Sequence, residues 1–190
     1  MTKLLCMAAS FRTESTNKKL LTLAANIAQA SGAEITALDY RDTDCPALRD
    51  DKPVEPLPAG VQAFSSALHA CDGMILAVPE YNWSIPGAFK NLIDWVSVDA
   101  SLPLKGKTAL LLCATPSVRG GITGLLQLRV PLEHLGVWVY PHCIGIGRSH
   151  ETITEGGLTE AKEQEFMVQV VSDFVVKTAA LVTSTATTRT

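Results

Sequence analysis

Short apolar runs alternate with longer stretches in which apolar residues recur every three or four positions. The runs at 4–9, 34–38, 74–78, 108–114 and 137–140 read as strands. The first, third and fourth are apolar almost without a break, as strands buried on both faces are. Between them the spacing turns helical. Leu20, Leu23, Ala24 and Ile27 mark a first helix, and Val61, Phe64, Ser65 and Leu68 a second over 61–70. Phe89, Leu92, Ile93 and Val96 mark a third, with Lys90, Asn91 and Asp94 between them. Pro86 suits its first turn, where a missing amide proton costs nothing. A fourth helix spans 122–135, with Gly124 and Pro131 complicating its limits, and a fifth spans 158–179. Strands that alternate with helices predict a parallel sheet covered on both faces, a three-layer α/β domain over residues 1–181. Residues 182–190 are expected to form a polar, flexible tail. The proline-rich stretch 39–60 is expected to be a stiff surface loop with its charges in solvent, and 145–157 a loop rich in Gly and Glu.

Three polar loops follow predicted strands, at the end of an α/β sheet where ligands bind. The first, Ser10-Phe11-Arg12-Thr13-Glu14-Ser15-Thr16-Asn17, lies between the first strand and the first helix. Hydroxyls, the Arg12 fork and unpaired amides at a helix start can together cradle a phosphate. The same residues also suit an ordinary capped helix with a solvated arginine. The second loop, Pro79-Glu80-Tyr81-Asn82-Trp83-Ser84, begins where Pro79 ends the third strand. The third, Thr115-Pro116-Ser117-Val118-Arg119-Gly120-Gly121, carries paired glycines that let backbone amides approach a flat ring closely. Arg119 suits a ligand contact or a surface position equally. Cys6 and Arg12 have the spacing of a phosphatase loop with a cysteine nucleophile. The intervening MAASF lacks glycine, however, and Cys6 falls inside the strand.

Composition narrows the choice of partners. A formal net charge of -3 argues against general nucleic-acid binding, which needs concentrated Lys and Arg. Five dispersed cysteines, an odd number with no close pair, make a poor disulfide framework, and Cys6, Cys71 and Cys113 are expected as core thiols. The four histidines show no metal-ligand spacing, so no metal is expected; His142 and His150 read as surface or packing residues. No apolar run approaches the roughly 20 residues of a membrane helix. A cytoplasmic protein is expected.

The stretch PEYNWSIPGAFKNLIDWVS resembles the signature of the NADPH-dependent FMN reductase family. Pro79, Glu80, Tyr81, Asn82, Ser84, Pro86, Gly87, Lys90, Asn91, Asp94 and Trp95 fall on the family pattern. Ser10, Arg12, Ser15 and Asn17, with Thr16 between them, match the family's phosphate loop, although many relatives begin it with Gly where this chain has Ala9. The resemblance implies a flavodoxin-like sandwich with a five-stranded parallel sheet in the order 2-1-3-4-5. It implies FMN held by Ser10, Arg12, Ser15, Thr16 and Asn17, with Pro79, Glu80, Tyr81, Asn82, Ser117, Arg119, Gly120 and Gly121 bordering the flavin ring. It implies NADPH, or NADH, as co-substrate. A hydride would pass to flavin N5 and then to a quinone, flavin, azo compound or metal oxyanion in a ping-pong order. The flavin carries the chemistry, so no side chain is assigned as catalytic. Backbone amides would meet the charge that develops at N1 and O2. A homodimer or homotetramer is implied, with 39–60 or the helix after Ile85 at the contact and Trp83 and Trp95 as candidate anchors. The alternatives are an FMN electron carrier and, further off, a flavin-binding sensor.

Overall fold

The structure is a computed structural model that describes residues 1–49 and 55–187. Residues 50–54 and 188–190, which include most of the expected charged stretch and the end of the expected tail, lie outside the described residues. Strand β1 (Lys3–Ala8) leads to α1 (Thr16–Ala30), β2 (Glu34–Ala37), α2 (Ala59–Ala70) and β3 (Gly73–Ala77). Then come α3 (Gly87–Ser97), β4 (Thr108–Ala114), α4 (Ile122–His134) and β5 (Trp138–Val139). The chain ends with β6 (Ile144–Ile146), α5 (Ser149–Thr152), the small pair β7 (Ile153–Thr154) and β8 (Gly157–Leu158), and α6 (Ala161–Thr187). The main sheet is parallel and ordered β2-β1-β3-β4-β5, with β6 also paired to β4. This is the flavodoxin-like order that the family resemblance implies.

Alternation along the strands builds the two cores. Leu5 and Met7 of β1, Met74 and Leu76 of β3, and Ala109, Leu111 and Cys113 of β4 face α2, α3 and α4. Their neighbours Leu4, Cys6, Ile75, Leu110 and Leu112 face α1 and α6. Every one of these side chains is almost fully buried, and period-2 geometry requires the split.

Two boundaries differ from the sequence reading. The 145–157 stretch is not all loop, because Ile144, Gly145 and Ile146 pair with Leu112, Cys113 and Ala114. The fifth strand position is therefore filled in two pieces, Trp138–Val139 on the first part of β4 and Ile144–Ile146 on the last. The last helix runs to Thr187, past the predicted end at 179.

That helix also bears on the membrane expectation. Ala161–Ser184 is long and apolar enough by composition to cross a membrane. Its polar residues are spread out, so a search for one unbroken run overlooks it. Here it lays Met167, Val170, Val171, Phe174 and Val175 into the second core. One such helix, folded against a sheet, argues against a protein with several membrane spans.

Cys6, Cys71 and Cys113 are buried as expected, and all five cysteines are free thiols. Burial pushes the Cys6 thiol up to about 12, with Cys71 adding to the shift. A nucleophilic cysteine needs the opposite shift, so the phosphatase reading fails on both position and electrostatics.

Candidate flavin site

A doubly wound sheet opens a crevice where neighbouring connections leave in opposite directions. In the order 2-1-3 that point lies between β1 and β3. A cleft of about 130 Å3 sits there, lined by Ser10, Arg12, Glu14, Ser15, Thr16, Asn17, Pro79, Glu80, Tyr81, Ala114, Thr115, Pro116 and His150. It is not the most apolar cavity, which lies at the far edge between β5 and α6. It is the one where polar side chains converge, and convergence of that kind marks a ligand site better than size does.

The floor of the cleft is the start of α1. Ser15 is the N-cap residue, yet its side chain makes no capping bond, although it is buried. A serine at this position normally spends its hydroxyl on an amide one turn on. Here the hydroxyl and the first helix amides remain open to the cleft. Ser10 is also buried and accepts a hydrogen bond from the Arg12 amide at 3.4 Å. Phe11 is fixed outside by a tilted ring contact, centroids 4.6 Å apart, with Tyr40, a buried ring that meets Phe89 edge-on. Arg12 is exposed, and among the described residues no ion pair holds its guanidinium. Two hydroxyls, helix amides and an uncommitted guanidinium are the donor set a phosphomonoester needs. The residues fit the phosphate end of FMN.

Asn17 takes a different part from that of a simple ligand donor. Its Nδ2 donates to Ala114 O and its Oδ1 accepts from the Ala114 amide, both at 2.9 Å. The side chain replaces a missing strand partner at the end of β4 and ties the phosphate loop to it. Asn17→Ala should therefore act through the fold. Each buried group left unpaired costs roughly 1–3 kcal/mol, so the pair should lower stability by about 3 kcal/mol in urea denaturation. A loss below about 1 kcal/mol would show that water replaces the side chain.

The second loop is clamped to α4. Glu80 Oε2 accepts from the Gly124 amide at 2.7 Å, which satisfies an orphan donor of the first helical turn. Ser84 Oγ donates to Gln127 Oε1 at 2.6 Å, and Gln127 Nε2 donates to Trp83 O at 2.9 Å. Tyr81 and Ser84 exchange backbone bonds across a two-residue turn. Asn82 and Trp83 at its tip both have positive φ, 51° and 65°, as the primed hairpin turns require. Tyr81 stands half exposed at the cleft rim, while the turn carries Asn82 away from it.

The third loop contributes less to the cleft than expected. Thr115 and Pro116 line it, but Ser117, Arg119, Gly120 and Gly121 do not. The glycines pack closely against their neighbours. Gly120 and Gly121 have φ of 65° and 71°, and a Cβ would strike the Gly145 carbonyl in one case and Cys113 Sγ in the other. They let the loop lie flat against β6, where Ser117 O accepts from the Arg148 amide and Thr115 O from the Ser149 amide. Arg119 turns instead onto Trp83, its guanidinium carbon 4.4 Å from the ring centroid.

The structure thus brings Ser10, Arg12, Ser15, Thr16, Asn17, Pro79, Glu80 and Tyr81 together. It leaves Asn82, Ser117, Arg119, Gly120 and Gly121 outside, and it adds Glu14 and His150. Glu14 lies within the first loop itself. His150 enters because β6 exists: residues just past its end occupy the same sheet edge as the other loops. Recognising Ile144–Ile146 as a strand is the signal that would have found it. Among the described residues no group of three or more His, Cys, Asp or Glu side chains is placed to hold a metal ion.

A parallel sheet in this order, with a phosphate-sized polar cleft at its switch point, defines a flavodoxin-like domain. The chain belongs to the NADPH-dependent FMN reductase family, whose model matches residues 2–151. It is 32% identical over 135 residues to an NAD(P)H-dependent FMN reductase of Pseudomonas aeruginosa, covering 71% of each chain. It is 39% identical over 85 residues to a quinone reductase of Escherichia coli, a match that covers only 45% of either protein. Among solved structures it is similar to the flavoenzyme NAD(P)H:(acceptor) oxidoreductase FerB of Paracoccus denitrificans. That match has a TM-score of 0.81 and 26% identity, and covers 95% of this chain and 98% of FerB.

Proposed function

We propose that the protein is a cytoplasmic NAD(P)H-dependent, FMN-containing oxidoreductase that reduces small acceptors such as quinones. The observation that carries this reading is the cleft at the β1/β3 switch point, where buried serines, open helix amides and Arg12 converge on one phosphate-sized space. The activities named for the Pseudomonas, Escherichia and Paracoccus relatives support it. When bound, FMN supplies the hydride chemistry of both half-reactions. The chain has the positioning roles. Ser10, Arg12 and Ser15 hold the phosphate end, and Asn17 locks that loop to β4. Pro79, Glu80 and Tyr81 border the ring, kept rigid by the bonds from Glu80, Ser84 and Gln127 to their neighbours.

Anaerobic mixing of FMN-loaded protein with NADPH or NADH tests this. The oxidised flavin band should bleach rapidly and return on addition of a quinone. If neither nicotinamide bleaches it at millimolar concentration while a separate reductase does, the protein is an electron carrier.

Assembly into at least a dimer belongs to the same reading, with the contact moved. Trp95 is buried and its Nε1 donates to Pro46 O at 2.7 Å, so it anchors the 44–48 segment to α3. The outer face of α3 carries the Lys90–Asp94 ion pair. The apolar surface is on α4 instead, where Ile122, Leu126 and Val130 follow one another at four-residue spacing with exposures of 40, 55 and 69%. Such a stripe suits a helix-to-helix contact. Sedimentation at micromolar protein should show a dimer or larger for wild type and a monomer for Leu126→Glu. A wild-type monomer, or a mutant that still assembles, would remove α4 from the contact.

A further inference from the structure

One contact joins the second and third loops beyond the cleft. Tyr81 and Pro116 line the cleft, and Trp83 and Arg119 lie just further along the same two loops. The Arg119 guanidinium carbon is 4.4 Å from the centroid of the Trp83 ring, a cation–π contact. Both side chains are exposed, so neither is there to fill a core. Local turn chemistry does not explain Trp83 either. A two-residue hairpin turn with positive φ at both positions favours Asn-Gly. This chain follows Asn82 with Trp83 at a φ of 65°, a region where a bulky residue is strained. Strain of that kind gathers at ligand clamps and switch regions. The turn is held in place by Gln127, whose Nε2 donates to Trp83 O at 2.9 Å. The opposite loop is fixed as well. Ser117 Oγ accepts from the Arg119 amide at 3.2 Å, and Gly120 is pressed against the Gly145 carbonyl. The member free to move between the two loops is the Arg119 side chain, and among the described residues no ion pair competes for it.

The cleft itself measures about 130 Å3, whereas a site that buries a drug-sized ligand takes roughly 300–1,000 Å3. With its phosphate end at Ser10 to Asn17, FMN has to extend past the cleft along the second and third loops. The Arg119–Trp83 contact spans those two loops. Given the FMN-binding part of the reductase reading, on which this rests, we infer that Arg119 and Trp83 form a latch across the ring end of the flavin site. The latch sets how fast the cofactor exchanges. Both are positioning residues, with no part in hydride transfer. Flavin passes while the guanidinium is off the indole and is retained while it is on. An exposed cation–π contact favours the closed form about two- to fivefold. Entry and exit are each slowed by the fraction of molecules that is open. A latch that closes equally well behind bound flavin scales both rates together and leaves affinity alone. A phosphate contact such as Arg12 has the opposite signature, because its loss weakens affinity.

The test is the kinetics of FMN exchange on the full chain, at one protein concentration throughout. Stopped-flow quenching of flavin fluorescence gives the association rate. A chase of FMN-loaded protein with excess apoflavodoxin, which traps released flavin, gives the dissociation rate. Arg119→Ala and Trp83→Leu should each raise both rates about three- to sixfold, with equilibrium affinity changed by less than about twofold. The double variant should be no faster than either single one, because the same contact is lost in all three. Arg119→Lys and Trp83→Phe keep a cation and a ring face, and should fall between wild type and the other variants. Unchanged rates would overturn the latch. A change in one rate alone, with the matching shift in affinity, would overturn it too and make the pair a direct flavin contact. Additive effects in the double variant would also reject it, since the two residues would then act apart. Each of these outcomes leaves the reductase reading standing. Failure of wild type to bind FMN would remove that reading, and the latch with it.

Discussion

FMN should bind Arg12→Ala about 10- to 150-fold more weakly than wild type. A hydrogen bond to a charged group contributes roughly 1.5–3 kcal/mol, and each 1.4 kcal/mol is a factor of ten in affinity. The side chain is exposed and, among the described residues, unpaired, so its removal leaves no buried protein group stranded. Stability of the apoprotein should therefore change by less than about 0.5 kcal/mol, as for surface substitutions generally. Arg12→Lys should recover only part of the affinity, since it keeps the charge and loses the planar fork. Quenching of flavin fluorescence on titration reads all three proteins. Equal affinities for wild type and Arg12→Ala would take Arg12 out of the phosphate site and leave the work to Ser10, Ser15 and the α1 amides.

The sheet was legible in the chain because its central strands are apolar on both faces. Residues such as Leu110, Leu111 and Leu112 permit no reading other than burial between two helical layers. The fifth strand position was not legible in full. Its second piece is the three residues Ile144–Ile146, with a glycine in the middle. A tripeptide with Gly carries neither periodicity nor length enough to register. The consequence reached the site: with β6 unseen, His150 had no reason to stand at the cleft. The phosphate loop was readable because its donors are contiguous in sequence, from Ser10 to Asn17. The double bond from Asn17 to Ala114 was not, since it joins residues 97 positions apart. Gly120 and Gly121 show a related limit. Sequence reveals that a side chain is forbidden there. It does not reveal that β6 and Cys113 are among the groups that forbid it.

Stability should fall steeply above pH 9, and the two central thiols should contribute much of the slope. Burial pushes Cys6 and Cys113 up to about 12 from an ordinary 9.0. Between those values the unfolded chain has lost both protons and the folded chain has kept them. The folded state then binds more protons, so unfolding free energy decreases as pH rises. The stabilisation is fully present below pH 9 and is lost on the way to pH 12. Each thiol contributes about 1.4 kcal/mol per pH unit in this window, so the pair should remove roughly 5 kcal/mol by pH 11. A domain of ordinary stability has only about 5–15 kcal/mol in total, so the effect brings the protein near its unfolding threshold. The Tyr40 hydroxyl, raised chiefly by burial, acts in the same direction at higher pH. Urea midpoints measured at half-unit intervals from pH 8 to 11 would follow the decline. Cys6→Ala/Cys113→Ala should start lower at pH 8, because each substitution empties some core volume, and should then decline much less. A wild-type curve flat to pH 11 would mean that the thiols ionise inside the fold. That outcome would reopen the case for Cys6 as a reactive group, because only an accessible thiolate can attack a substrate. A steep curve leaves both sulfurs as packing atoms, Cys6 against the α1/α6 layer and Cys113 beneath Gly121, and leaves the reduction chemistry to a bound flavin.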